Sequence, residues 1–481
     1  IASQSITLNH IASFSNGTSG TNSAEIVAHD PISQRLFIAN SIAGKIDIVN
    51  FKNPAAASLI TSIPLTATYG NINSIAVKNG IVAAAIENII PEQPGKVVFF
   101  DTTGVFINQV NVGAMPDMIT FTNDGTKVLT ANEGQPNTAY TVDPEGSISI
   151  INISGGIASL TQTNVTTATF TSYNSQASSL KASGIRIYGL NNATVAQDME
   201  PEYISFSADN NTAYVTCQEN NAIAVVDIPT STITALRPLG TKNHLLSNNS
   251  FDISDVGTSI EMANWPVKGL YMPDAIASYT ANGQLYYVTA NEGDSREYKA
   301  FTEMKRVSAV SLDATNFPTA TTLKTDAILG RLNVTTTLGD TDNDGDFDAL
   351  YSLGARSFSV WNATSGSQVF DSKNELDVKA KDLAIYDDAR SDDKSVEPES
   401  ICLGKVGGKN IVIVGLERVD AFAIYDITNP TSPVFIKMYK TGDAPEGIIF
   451  IPASKSPIKQ SLIVTSSEND GLVKIYKTTK L

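Results

Sequence analysis

The sequence predicts an all-β fold, a seven-bladed β-propeller with loop insertions. Three observations carry that expectation. A hairpin motif recurs seven times along the 481 residues. Most copies are followed by a third strand rich in Val, Ile, Tyr and Phe, such as "AIAVVDI", "KVVFFD" or "AFAIYDI". Helical periodicity is sparse throughout. The hairpin is clearest in "EPEYISFSADNNTAYVTCQEN", Glu200 to Asn220, which reads as a strand, a turn at "SADNNT" and a second strand "AYVTC".

In chain order, the first two copies are "AEIVAHDPISQRLFIANS", flanked by Glu25 and Asn40, and "INSIAVKNGIVAAAIEN", flanked by Asn73 and Glu87. Five further copies carry an acid before the first strand and another after the second. They are Asp117 and Glu133, Glu202 and Glu219, Asp274 and Glu292, Glu399 and Glu417, and Glu446 and Glu468. A blade of roughly 40 to 45 residues fits the spacing of copies one to three and six to seven. Elsewhere the repeat is stretched, near 140–197, 229–270 and 297–395, and these stretches read as insertions on one propeller spanning 1–481. Two β-sandwich domains are the alternative, but they would not explain a seven-fold repeat.

Composition narrows the function classes. Thirty-three Lys and Arg against 49 Asp and Glu give a formal charge of −16, which disfavours nucleic acid and anionic membranes as partners. No apolar run reaches the roughly 18 residues of a membrane span, so no transmembrane segment is expected. With only His10, His29 and His244, a His-rich zinc site or a Ser-His-Asp triad has little material. Cys217 and Cys402 allow at most one disulfide. "IASQSITLNHIASF" lacks a basic start and a long apolar core, so the chain reads as a mature or trimmed product.

The paired acids point to a site. A hairpin brings its open ends together, so the two carboxylates of each copy share one edge of the sheet. In a propeller that edge faces one mouth of the central channel, where some ten acids would converge. Carboxylates a few ångströms apart repel by several kcal/mol at an effective dielectric near ~20, and Ca²⁺, which takes six to eight oxygen ligands, is the natural remedy. The bland alternative is turn chemistry, with each side chain closing a loop onto backbone N–H groups. Arg296 and Arg418 stand on the same rim as candidate catalytic or anion-binding groups, or as plain salt-bridge partners.

A second acidic feature is the stretch "GDTDNDGDFDALYS", which contains a calcium-type loop at 340–351. Asp340, Asp342, Asp344, Asp346 and Asp348 fall at alternate positions, with Gly345 at the bend. This is the spacing of a Ca²⁺ loop, although Tyr351 stands where an EF-hand has its bidentate Glu. It reads as a calcium staple for a long excursion with little core of its own; a solvated acidic turn is the alternative.

The strings "DNDGDFDALYSLGARSFSVWNATSGSQVFDS", "RSDDKSVEPES" and "VGLERVDAFAIYDITNP", with the "ANEG" segments, resemble the choice-of-anchor I family of secreted bacterial propellers over nearly the whole chain. The resemblance implies export and a C-terminal anchoring signal. The chain ends at "IYKTTKL" without one, so any sorting segment is expected to be removed or to lie outside it. The family includes atypical alkaline phosphatases and is similar to a biomineralisation-associated surface glycoprotein of echinoderms.

Two functions follow as expectations. One is an exported metal-dependent phosphatase acting on phosphate esters, with Ca²⁺, and a second metal such as iron as a further candidate, held by the rim acids. The other is a calcium-binding cell-surface adhesion or interaction propeller without catalysis, engaging a surface partner. A redox enzyme is a distant third, since only Trp265 and Trp361 are present and no haem-attachment C-x-x-C-H occurs.

Overall fold

Each acid-flanked hairpin forms the two inner strands of a four-stranded antiparallel sheet, and there are seven such sheets in the computed structural model, which describes residues 6–65, 69–257 and 259–480. Blade 1 begins at Val27–Asp30, blade 2 at Ile72–Lys78, blade 3 at Pro116–Phe121 and blade 4 at Pro201–Phe206. Blade 5 begins at Ile276–Ala281, blade 6 at Pro398–Val406 and blade 7 at Pro445–Ile451. The first strand of each blade lies beside those of the next and previous blades, and blade 1 touches blade 7, so the ring closes around a channel. The protein is a seven-bladed β-propeller.

Closure uses both ends of the chain. The outer strand of blade 7 is Ile6–Ser15, paired antiparallel with Leu472–Lys480 in the register Leu8↔Thr478 and Phe14↔Val473. This strand lies outside the repeat the sequence displays.

Blades pack face to face, so their middle strands are buried on both sides and read as continuous apolar runs: Ile81–Ile86, "IVAAAI", is buried at five of its six residues. Outer strands such as Ser58–Pro64, "SLITSIP", are largely exposed. Each of the seven interfaces has its own apolar cluster. Leu129, Ile148, Ile204 and Val215 join blades 3 and 4; Tyr214, Tyr287 and Trp361 join blades 4 and 5; Phe358, Val412 and Tyr425 join blades 5 and 6.

The stretched repeats contain less insertion than their length implies. Ser147–Asn152 and Val165–Thr169 complete blade 3, Thr232–Pro238 completes blade 4, and Ser357–Asn362 and Gln368–Asp371 complete blade 5. What remains does have a core. Thr241–Asn243, Val267–Leu270 and Leu350–Ser352 form a three-stranded sheet joining two separate excursions. Phe251, Val267, Val307, Phe317, Leu332 and Leu350 are buried together beside it. The excursion is therefore held first by apolar burial, contrary to the expectation of little core. Cys217 is buried and both cysteines are free thiols.

Candidate metal centre

Local sequence places the acids. Five blades open with a Pro followed at once by Asp or Glu. Four of the residues before that Pro take left-handed backbone angles: Met115 (φ 49°), Met272 (φ 41°), Glu397 (φ 46°) and Ala444 (φ 53°). Pro has no N–H to give to the ladder and so suits the first strand position. The pairing then slips at the acid: Pro116 faces Asn132 but Met118 faces Ala131, leaving Asp117 as the extra residue of a bulge. The same slip brackets Glu202, Glu399 and Glu446, and also Asn73 in blade 2. A bulge re-aims its unpaired side chain, here toward the channel mouth. Asp274 sits just before the first strand of blade 5.

The second acids follow the ends of the neighbouring strands. In blades 3 and 5 that end is "ANEG", pinned by buried polar ladders. Asn132 Nδ2 donates to Ser147 and Ser149 (3.2 and 3.0 Å), and Asn291 Nδ2 donates to Ser357 and Ser359 (3.1 and 2.9 Å). Gly293 (φ 95°) lies so close to Gly354 that a Cβ would come within 2.0 Å of its nitrogen. Glu133 and Glu292 are therefore presented by rigid backbone. Asn40, matched with Glu25 in the sequence repeat, occupies the ladder position instead. It is buried and donates to Thr18 (2.8 Å), and it takes no part in the mouth.

Of the ten predicted rim acids, the structure brings three together: one oxygen each from Asp274, Glu292 and Glu399 lies within 4.8 Å of the others. Glu292 accepts from Lys394 Nζ (2.8 Å) and Gln218 Nε2 (2.8 Å). Glu399 Oε2 is buried without a partner, as is Glu202 Oε2. Asp117, Glu133, Glu202, Glu219, Glu417, Glu446 and Glu468 stand around this cluster without forming a second one among the described residues.

Burial first, and mutual repulsion second, hold the rim carboxyls above their ordinary range. Asp117 is pushed up to about 7 by burial and Glu87, and Glu417 to about 8 by burial and Glu397. Glu219 rises to about 7 through burial, with Arg296 opposing. Glu133, Glu202, Asp274, Glu399 and Glu446 are raised further by burial and by one another. Each of these carboxyls feels others across the channel: Glu446, for example, senses Asp274, Glu417, Glu468 and Glu25. Two like charges at about 5 Å repel by roughly 3 kcal/mol at an effective dielectric of ~20.

The two arginines are already committed. Arg296 is buried, with Nη1 on Asp198 Oδ1 (2.5 Å) and Nη2 on Glu200 Oε1 (2.9 Å). Tyr188 lies between its guanidinium (4.4 Å) and that of Arg186 (4.2 Å), and Arg186 is paired with Glu303. Arg418 Nη1 holds Glu417 (2.7 Å) and its Nε holds Glu397. Both are salt-bridge partners here: Asp198, Glu200 and Glu397 lie just ahead of Pro-acid motifs, and Glu417 ends its own hairpin.

A Choice-of-anchor I domain model matches residues 25–430. The chain belongs to that family. It is also 30% identical to Gigasin-3a of Magallana gigas, over 31% of this chain and 65% of that protein, a match just short of two thirds of the relative's length. Kuenenia stuttgartiensis hydrazine synthase superposes with a TM-score of 0.51 at 12% identity, covering 96% of this chain and 98% of that one, which shows a shared fold. A streptogramin B lyase structure gives a TM-score of 0.49 at 10% identity, covering 99% and 98%. No helix among the described residues is long and apolar enough to cross a membrane.

In this choice-of-anchor I propeller, sequence reasoning missed Lys394, Glu25 and Glu87. Glu25 is pushed up to about 8, chiefly by burial, and Glu87 is raised by burial. Both stood in the repeat, but beside Asn rather than a second acid. Lys394 comes from the connector before blade 6, within "RSDDKSVEPES", and stands outside the repeated pattern of paired acids. The aspartate loop also differs from the sequence reading. Its five acids split into Asp340, Asp342 and Asp344 on one side, and Asp346 and Asp348 on the other, where they join Asp313. Asp313 lies far upstream and is carried in by the bridge Leu312↔Phe347.

Proposed function

We propose that this chain is an exported, calcium-organised binding propeller. Its acidic mouth holds Ca²⁺ through Asp274, Glu292 and Glu399 and presents the cation to a surface partner or glycan. The observation that carries this reading is the three-carboxylate cluster with a buried, unpartnered Glu399 oxygen. The donor set fits: it is all carboxylate, which suits a hard ion such as Ca²⁺ better than a transition metal such as iron. The surrounding acids, Glu202 and Glu446 nearest in charge, would tune affinity from a second layer. The choice-of-anchor family supports export.

Hydrolysis of phosphomonoesters is the second reading, favoured by the Lys394 ammonium beside the cluster. A bound metal would supply Lewis acidity there, and Lys394 would offset anionic charge. Against it, Arg296 and Arg418 are tied to carboxylates and offer nothing to a phosphate.

The deciding assay is turnover of p-nitrophenyl phosphate at pH 7 to 10 by folded, Ca²⁺-loaded protein, beside a Glu292→Gln/Glu399→Gln double variant. The expected result is no turnover above that variant, together with Ca²⁺-dependent thermal stabilisation that the variant loses. Metal-dependent turnover abolished in the variant would establish the hydrolase instead.

A further inference from the structure

The first strands run from the acidic mouth to the opposite end of the channel. At ~3.3 Å per residue, six or seven residues separate the two ends by roughly 20 Å. That far end has a different chemistry. A cavity of about 500 Å³ is walled by Ile26, Ala76, Val77, Ile119, Ile449 and Phe450. It shares Thr120 and Tyr203 with an adjoining cavity of about 460 Å³, lined in part by Ala277, Tyr279 and Leu403. Both are within the range of small-molecule sites.

The lip of the first cavity carries Lys78, at the end of the blade 2 first strand, and Lys455, in the hairpin turn of blade 7. Lys78 is half-buried, and its ammonium is held below its ordinary range first by burial and then by Lys455. No ion pair reaches either ammonium among the described residues. The one carboxylate Lys78 feels, Asp124, is already hydrogen-bonded by Thr122 and Thr126 (2.6 to 3.0 Å). His29, on the same wall, is held toward its neutral form by burial and shares a hydrogen bond with Gln34 (3.1 Å). Gln34 Nε2 in turn donates to the Lys455 carbonyl (2.9 Å), fixing the turn that carries the lysine.

We propose that this end of the channel is a binding site for a medium-chain alkyl carboxylate. The chain would lie along the apolar walls toward Tyr203, with its head group between Lys78 and Lys455. Two unpaired ammonium groups at the rim of a cavity with an apolar wall, Ile26, Val77, Ile449 and Phe450, are complementary to one carboxylate on an alkyl body.

The test is calorimetric titration of the full-length protein with decanoate, with 1-decanol as the uncharged control. One site per chain is expected, with decanol at least tenfold weaker. Lys78→Glu/Lys455→Glu should weaken decanoate at least tenfold and leave decanol unchanged. Thr120→Phe, which fills the passage between the two cavities, should weaken both ligands, with folding checked by an unchanged melting temperature. Glu292→Gln at the far mouth should bind decanoate like the parent. No decanoate binding, equal binding of decanoate and decanol, or decanoate affinity indifferent to the double charge reversal would overturn the proposal.

Discussion

The channel mouth and the aspartate loop are both acidic, yet their carboxylates stand in opposite energetic situations. At the mouth, seven rigid blades drive the acids together, strand bulges aim them, and burial holds most of them far above the usual carboxylate range. In the loop the acids are exposed or half-buried and bind their own backbone. Gly345 N donates to Asp340 (3.1 Å), Asp346 N to Asp344 (3.1 Å) and Thr341 N to Asp348 (2.8 Å). Hydrogen bonds hold Asp348 below the usual range. The loop thus offsets part of its charge with its own backbone, while Asp342 and Asp346 stay raised by desolvation and by Asp344; the buried mouth relies on protonation, on an internal cation such as Lys394, or on a bound ion. An acidic pattern in sequence does not distinguish these cases; the backbone that presents it does.

The largest test of this contrast is Arg296→Met. It leaves Asp198 and Glu200 buried without a counter-charge and should lower stability by about 3–5 kcal/mol in chemical denaturation. A loss below about 1 kcal/mol would mean that the mouth does not depend on fixed cations.

Next is pH. The rim acids have folded pKa values raised above their unfolded values, so their contribution is fully favourable below about pH 4 and is lost as pH rises through about 7 to 8. Chelated protein should therefore lose several degrees of melting temperature between pH 5 and 8, and Ca²⁺ should flatten the slope. Asp348 has the opposite sign: its contribution is present above the ordinary aspartate range and fades only at lower pH, so Asp348 should be silent across that window. A flat profile for the chelated protein would remove the distinction.

The smallest effect is expected from Asp340→Asn. It should speed limited proteolysis within the loop in the presence of Ca²⁺ while leaving the global melting temperature within about 1 °C, since the loop opens locally. A global loss would show that the loop also staples the core around Phe251 and Leu332.

The seven-fold hairpin and the ten acids were legible in the sequence because all seven blades repeat the hairpin and five repeat the same Pro-acid opening and strand-end acid. The closing strand Ile6–Ser15 was not, since its partner lies at the other end of the chain. Blade 3's outer strand, "VTTAT", was hidden by small and polar residues suited to a half-exposed edge. At the site, spacing showed which residues share an edge but not which meet. The convergence of Asp274, Glu292 and Glu399 depends on two neighbouring blades and on the connector that delivers Lys394. Arg296 and Arg418 pair with Asp198, Glu200 and Glu397, acids just ahead of the Pro-acid openings, and the spacing of the paired rim acids did not display those partners.

The most direct test is equilibrium Ca²⁺ binding at pH 8, comparing the parent chain, Glu292→Gln/Glu399→Gln and Asp340→Asn/Asp342→Asn. The account predicts that the rim variant loses at least one bound Ca²⁺ that the loop variant keeps, and that the loop variant loses a different one. Identical Ca²⁺ stoichiometry and affinity in the parent and the rim variant would contradict it.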